Sequence, residues 1–139
     1  MKEPGETGRA IIDDYAHHPD ELTASINSVK SLYPNRKITV AFQPHLYSRT
    51  RDFAPEFAAA LSLAHEVILL NIYPARELPI EGVTSKIVFD DITCENKILI
   101  EKEDLVETLK NTNFEILLTV GAGDICNYLP QICDNVVQG

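Results

Sequence analysis

The sequence predicts an α/β fold: a Rossmann-like, doubly wound, mostly parallel sheet with helices on both faces. Three observations carry that expectation. Short apolar runs alternate with amphipathic helical segments along the chain, the pattern of repeated strand–helix–strand units. The runs Lys37–Phe42 (KITVAF), Glu66–Leu70 (EVILL) and Glu115–Val120 (EILLTV) are nearly continuously apolar at their centres, which suits strands covered on both faces. Each of these runs, and the one at Arg9–Asp13, leads into a polar or glycine-rich turn. In a parallel sheet such turns gather at the carboxyl edge of the strands, where ligands bind.

Taken in order, Met1–Gly8 (MKEPGETG) is a Pro/Gly-containing lead-in, and residues 9–139 form one domain. Arg9–Asp13 is the first strand. A helix runs from Asp20 to about Tyr33, with Leu22, Ile26, Val29 and Leu32 spaced as one buried stripe; Pro34-Asn35 ends it. Lys37–Phe42 is the second strand. Gln43 to Arg51 is a polar turn before a helix from about Asp52 to Ala64, with Phe53, Phe57, Ala60, Leu61 and Ala64 facing inward. Glu66–Leu70 is the third strand, and Asn71–Pro79 a loop holding two prolines. Val83–Phe89 fits helix or strand. Lys97–Ile100 is a short strand, Glu103–Lys110 a helix, and Glu115–Val120 a buried strand. Gly121-Ala122-Gly123-Asp124 then turns the chain into a last helix reaching Ile132.

A chain of 139 residues is one domain by size, and with 45% hydrophobic residues it can bury a core. No apolar run approaches the roughly 20 residues that span a bilayer, and the charged N-terminus is not a secretory signal. A net charge of −9 argues against a nucleic-acid or anionic-membrane binder, which need a basic footprint. The three cysteines, Cys94, Cys126 and Cys133, form no Cys-x-x-Cys pair. They read as reduced thiols of a cytoplasmic protein, Cys126 and Cys133 as core filler.

The densest chemistry lies in Ile11–Glu21 (IIDDYAHHPDE), a strand entering a helix. Pro19 suits the first helical turn, and Asp20 and Glu21 suit the positive end of the helix dipole. Asp14 could accept hydrogen bonds from a ribose or cap orphan backbone N–H groups; Asp13 serves structure or solvent. His17 and His18 are adjacent, so their side chains should diverge; one could meet a phosphate or a reacting carboxylate while the other packs. In the second turn, Arg49 and Arg51 stand near His45, and a guanidinium pairs well with carboxylate or phosphate. Tyr15, Tyr47 and Tyr73 fall in three separate turns of the same edge. His65 has no polar company and reads as a surface residue. Gly121–Asp124 alone is a weak phosphate signal, since any tight strand-to-helix turn explains it. The chain lacks G-x-x-x-x-G-K-[ST], G-x-S-x-G and a cysteine-nucleophile signature. A standalone nucleotide-binding module, or a metal-dependent hydrolase built on Asp14, His17 or His18, and His45, are also compatible with these residues.

Together, IIDDYAHHPDEL, AFQPHLYSRTRDF, NIYPARELPIEGVTS and TVGAGDI resemble the C-terminal domain of the Mur ligases, in the same order and spacing from about Arg9 to Leu129. The Q-P-H-x-Y-S-R-T and G-A-G-D-I segments resemble the alanine-adding branch. The resemblance implies a cytoplasmic enzyme of peptidoglycan synthesis. In such an enzyme ATP, with Mg2+, phosphorylates the carboxylate of UDP-N-acetylmuramate, and the amine of L-alanine attacks the acyl phosphate. It implies N-terminal and central domains as partners, the central one bringing the P-loop and most metal ligands, so this domain alone should be inactive. It also implies that Asp14 contacts the ATP ribose, with Tyr15 and His18 flanking, and that His17 lies near the phosphates and reacting carboxylate. His45 and Arg49 would face the amino acid and muramoyl end. Leu46 stands where the family pattern carries an arginine, leaving that contact to Arg49 or Arg51, and Arg76 stands where a glycine is common.

Overall fold

In a computed structural model, the described residues are 10–132 other than 95, 113 and 122. The lead-in 1–8 and the expected core placement of Cys126 and Cys133 lie outside the described residues and side chains. Among the described residues five strands, β1 (Ala10–Asp14), β2 (Ile38–Phe42), β3 (Glu66–Leu70), β4 (Asn96–Ile100) and β5 (Ile116–Val120), form one all-parallel sheet in the order β1-β5-β2-β3-β4. The last strand inserts between the first two. Asp14 lies opposite Val120, and Phe42 opposite Val120 from the other side, so the ends of β1, β5 and β2 are level at one edge.

Strand side chains alternate between faces, and two separate cores result. Val67, Leu69, Ile116, Leu118 and Val120 pack against α1 (Pro19–Leu32), α2 (Tyr47–Leu61) and α3 (Lys86–Phe89). Ile68, Leu70, Leu117 and Ala41 pack on the other face against α4 (Leu105–Lys110), Ile125 and α5 (Leu129–Ile132). The doubly wound expectation therefore holds, and the continuous apolar runs have the expected cause: β2 and β5 are buried at every position.

Departures from the sequence reading are local. α1 begins at Pro19 and buries Leu22, Ile26 and Val29, but Leu32 is 70% exposed; at ~100° per residue it lies ~80° around the helix from Leu22. α2 starts at Tyr47 rather than Asp52, so the expected turn is shorter. Its first turn is tied down from outside by Glu77, which accepts from the Ser48 N–H and hydroxyl. The helix bends where Phe53 leaves helical geometry (φ −122°, ψ 19°), just ahead of Pro55, which has no N–H to give the preceding turn. Phe53 is consequently 36% exposed, not inward, while Phe57, Ala60, Leu61 and Ala64 are buried as expected. The ambiguous stretch contains the helix α3, with Val88 buried and the Ser85 hydroxyl donating to the Leu70 carbonyl at 2.5 Å. The last two expected helices each open with a 3-10 turn, Lys102–Asp104 and Ile125–Tyr128. Among the described residues no helix is long and apolar enough to cross a membrane.

Candidate functional site

The turns after β1, β2, β3 and β5 meet at the carboxyl edge, as the strand pattern predicts. Helices α1 and α2 cover one face, whereas the segment after β5 covers the other. The chain therefore diverges on both sides of β5, the arrangement that opens a crevice at the strand ends.

At the end of β1, Asp14 is the last strand residue and partly buried. One carboxylate oxygen accepts from the Ala16 N–H at 3.1 Å and the other from the Ser25 hydroxyl of α1. The side chain is thus fixed by its own turn and by α1, and does not cap the helix. Each oxygen still has a lone pair for a further donor. Capping falls to Glu21, which reaches back to the N–H groups of His17 and His18, both at 3.1 Å; these bonds hold its carboxyl below the usual range. Tyr15 is 67% exposed.

The two histidines do not diverge fully, their ring centroids being 5.1 Å apart. His18 leans edge-on against Phe53 of α2, with centroids at 6.1 Å, so its ring joins α1 to the bend in α2. The Nδ1 of His17 sits 3.3 Å from the Tyr15 carbonyl. A carbonyl only accepts, so that contact puts the proton on Nδ1 and leaves Nε2 as the basic atom of the neutral ring. The ring lies 6.2 Å from that of His45, which joins the first turn to the second.

His45 is the best-defined group of the edge. Arg49, one helical turn on, places Nη1 3.0 Å from His45 Nδ1. Arginine can only donate, so Nδ1 accepts and the imidazole proton resides on Nε2. Burial, then the neighbouring Arg49 charge, then His17, depress the His45 pKa from its ordinary value, and the ring is neutral at pH 7. Tyr73 stacks on it at 5.8 Å with 14° between planes. The backbones are zipped together as well: Leu46 N–H donates to Tyr73 O at 2.9 Å, and Tyr73 N–H to Pro44 O at 2.8 Å. Leu46 adopts φ 74°, ψ 136°, a region costing a non-glycine residue about 1–3 kcal/mol. Thr50 helps hold it, its hydroxyl donating to Leu46 O at 2.8 Å. Arg51 points away, its Nε pairing with Asp52 at 2.9 Å on the exposed surface.

Behind these turns runs a second network. Gln43, only 2% exposed, accepts from the Ile125 N–H at 3.0 Å and donates to Asp124 at 2.6 Å. Asp124 also takes the Lys102 ammonium at 2.5 Å. Burial pushes the Asp124 carboxyl up, but Lys102 and Gln43 outweigh it and the net shift is downward. Gly123 passes so close that an added Cβ would lie 2.5 Å from the Tyr73 ring and 2.6 Å from the Gln43 oxygen. A cavity of about 150 Å³ between the strand ends is lined by Gln43, Tyr73, Lys102 and Glu103, among others.

His17, His45 and Arg49 are therefore brought together, Asp14 and Tyr15 stand at the β1 end of the same edge, and His18 packs to one side. Among the described residues no three His, Cys, Asp or Glu side chains gather as a metal-ligand set, and Asp14 faces Ser25 rather than the histidines. Gln43, Lys102, Ser25 and Glu77 are partners that the sequence reading did not assign. Ser25 was legible, being four residues before the inward Val29; Lys102 follows β4 and belongs to the same edge by the rule applied to the other strands. His65 is exposed, as expected, but not without polar company, since Ile38 N–H donates to its Nδ1 at 3.0 Å.

The profile described as "Mur ligase, glutamate ligase domain" matches residues 2–125. The chain belongs to the Mur ligase family. Among Mur ligases, the UDP-N-acetylmuramate–L-alanine ligase of Parabacteroides distasonis is 60% identical over 115 residues, 83% of this chain and 25% of that protein. The enzyme of the same name from Phocaeicola vulgatus is 54% identical over 124 residues, 88% of this chain and 27% of that protein. The crystal structure of the Thermotoga maritima UDP-N-acetylmuramate–alanine ligase superposes with a TM-score of 0.75 at 30% identity, covering 96% of this chain and 28% of that one. A ligase domain from Haemophilus ducreyi shares the fold (TM-score 0.69, 18% identity) and is covered over 91% of its length. The chain thus spans about a quarter of the curated Mur ligases it matches.

Proposed function

We propose that this chain acts as one domain of an ATP-dependent amide ligase that joins L-alanine to UDP-N-acetylmuramate in peptidoglycan synthesis in the cytoplasm. Its carboxyl edge forms one wall of the ATP and amino-acid site, and it is inactive without the N-terminal and central domains. The single observation that carries this reading is the convergence of Asp14, His17, His45 and Arg49 on one sheet edge in a chain of this family.

The residues divide the work by their chemistry. Asp14, held by Ala16 and Ser25, offers its remaining lone pairs to ribose hydroxyls, and the exposed Tyr15 flanks it. His18 flanks the nucleotide on the same turn, and its contact with Phe53 sets the position of that turn. ATP supplies the phosphoryl group that activates the muramate carboxylate. Arg49 and the Nε2–H of neutral His45 present a cation and a donor where carboxylate and phosphate oxygens need them, which is how a site without a protein nucleophile lowers the barrier. The basic Nε2 of His17 meets the reacting groups, able to accept hydrogen from them. Mg2+ has no three-ligand set among the described residues; in this reading its ligands lie in the central domain, and no step here depends on it.

The test is a chimera. This chain replaces the matching quarter of the Parabacteroides distasonis enzyme, and ATP-dependent formation of UDP-N-acetylmuramoyl-L-alanine is measured. Activity in the chimera and none in the chain alone is the expected result; ligation by the chain alone, or an inactive but folded chimera, would overturn it.

A further inference from the structure

A cavity of about 480 Å³ lies at the opposite, amino-terminal edge of the sheet, where Lys30, Tyr33, Arg36, Lys37, His65 and Glu115 converge. Its size falls in the range of small-ligand pockets, roughly 300–1,000 Å³. The candidate active edge does not involve any of these residues. They come from the end of α1, the turn into β2, and the residues just before β3 and β5, so the sheet itself brings them together.

The charge is unusual for this molecule. In a chain of net charge −9, the cavity is lined by Lys30, Arg36 and Lys37 against the carboxylate of Glu115. Several of these groups are anchored. Arg36 Nε lies 2.6 Å from Glu115, Lys30 Nζ donates to Leu63 O at 3.0 Å, and Lys37 Nζ stays 3.6 Å from Glu66. His65 is oriented too: its Nδ1 accepts the Ile38 N–H at 3.0 Å, so the neutral ring carries its proton on Nε2 and is a donor. Two ammoniums, a guanidinium and an imidazole N–H from three chain segments suit an anion with several charges on several oxygens, more than a single carboxylate.

We propose that this cavity binds a small phosphate-bearing anion at the end of the domain away from the ligase site. Inorganic phosphate and the phosphate of a nucleotide share the required chemistry. Because the site lies at the other end of the sheet, its failure would leave the proposed ligase function untouched, and the reverse holds too.

The experiment is a 1H–15N NMR titration of this chain with inorganic pyrophosphate, run beside sodium chloride at matched ionic strength. Saturable shifts confined to residues 35–38 and 65, weakened about tenfold in Lys37→Gln and in Lys30→Gln, are the expected result. Lys37→Arg should retain binding, which separates loss of the cation from loss of fold. Sodium acetate should bind at least about tenfold more weakly than pyrophosphate. Adenosine monophosphate binding more tightly than phosphate, with shifts reaching Tyr33, assigns a nucleotide; equal affinity assigns the phosphate group alone. Shifts that match sodium chloride, that appear only at the carboxyl-edge turns, or that survive both glutamine variants would overturn the proposal.

Discussion

Replacing Gln43 by methionine tests whether one buried amide joins the two halves of the candidate site. Methionine keeps the length and most of the volume but neither polar end. The Ile125 N–H now bonded to Gln43 belongs to a fully buried residue, and orphaning it costs about 1–3 kcal/mol. The lost bond to Asp124 removes about 0.5–1.5 kcal/mol more, since Asp124 keeps Lys102. Together Gln43→Met should destabilise by about 2–4 kcal/mol, shifting the urea midpoint by about 1–2 M at unchanged slope. Gln43→Glu separates the two terms, retaining an acceptor for Ile125 N–H while placing a carboxylate against Asp124. That variant should be markedly less stable at pH 7 than near pH ~4, where the introduced carboxyl is protonated and donates again. A Gln43→Met unfolding free energy within about 0.5 kcal/mol of the parent would refute the joining role of this amide.

Gly123→Ala should cost about 1–3 kcal/mol by overpacking, because Tyr73 is held against His45 and Gln43 is bonded at both ends; a neutral result in thermal unfolding would show that the turn gives way freely. NMR should find His45 titrating below the ordinary imidazole value near ~6.5, and Arg49→Met should move it upward, since burial and then Arg49 depress it. With the folded pKa below the unfolded one, this histidine's contribution to stability is complete above the unfolded pKa and is lost as pH falls from there to the folded value; a stability curve that improves with acid across that window would contradict the assignment. Glu77→Ala should raise amide exchange at Ser48–Thr50, the first turn of α2 that Glu77 holds, and unchanged protection there would show that the turn stands without it.

The sequence made the layered fold legible because β2, β3 and β5 are buried on both faces and their composition says so. Level parallel strand ends then put Asp14, His17, His45 and Arg49 at one edge without any knowledge of side-chain placement. The strand order was not legible. Nothing in Ile116–Val120 announces that it inserts between β1 and β2, because a parallel strand's neighbours depend on crossover geometry. The start of α2 was missed because its support comes from Glu77, 29 residues away. The exposure of Phe53 was missed because Pro55 breaks the period that the inward pattern assumed. Pairwise roles were the least visible layer. That Arg49 holds His45 as an Nε2–H donor, or that each Asp14 oxygen already accepts one hydrogen bond, depends on distances that no spacing rule supplies.

Asp14 is the nucleotide-facing carboxylate in the proposed function, and ATP binding at this edge depends on it. The most direct measurement is the ATP KM of the chimeric ligase with Asp14→Ala, taken beside kcat. Loss of a charge-assisted contact predicts a rise in KM of about tenfold with kcat little changed. An unchanged KM in a folded, active chimera would contradict the placement of ATP at this edge.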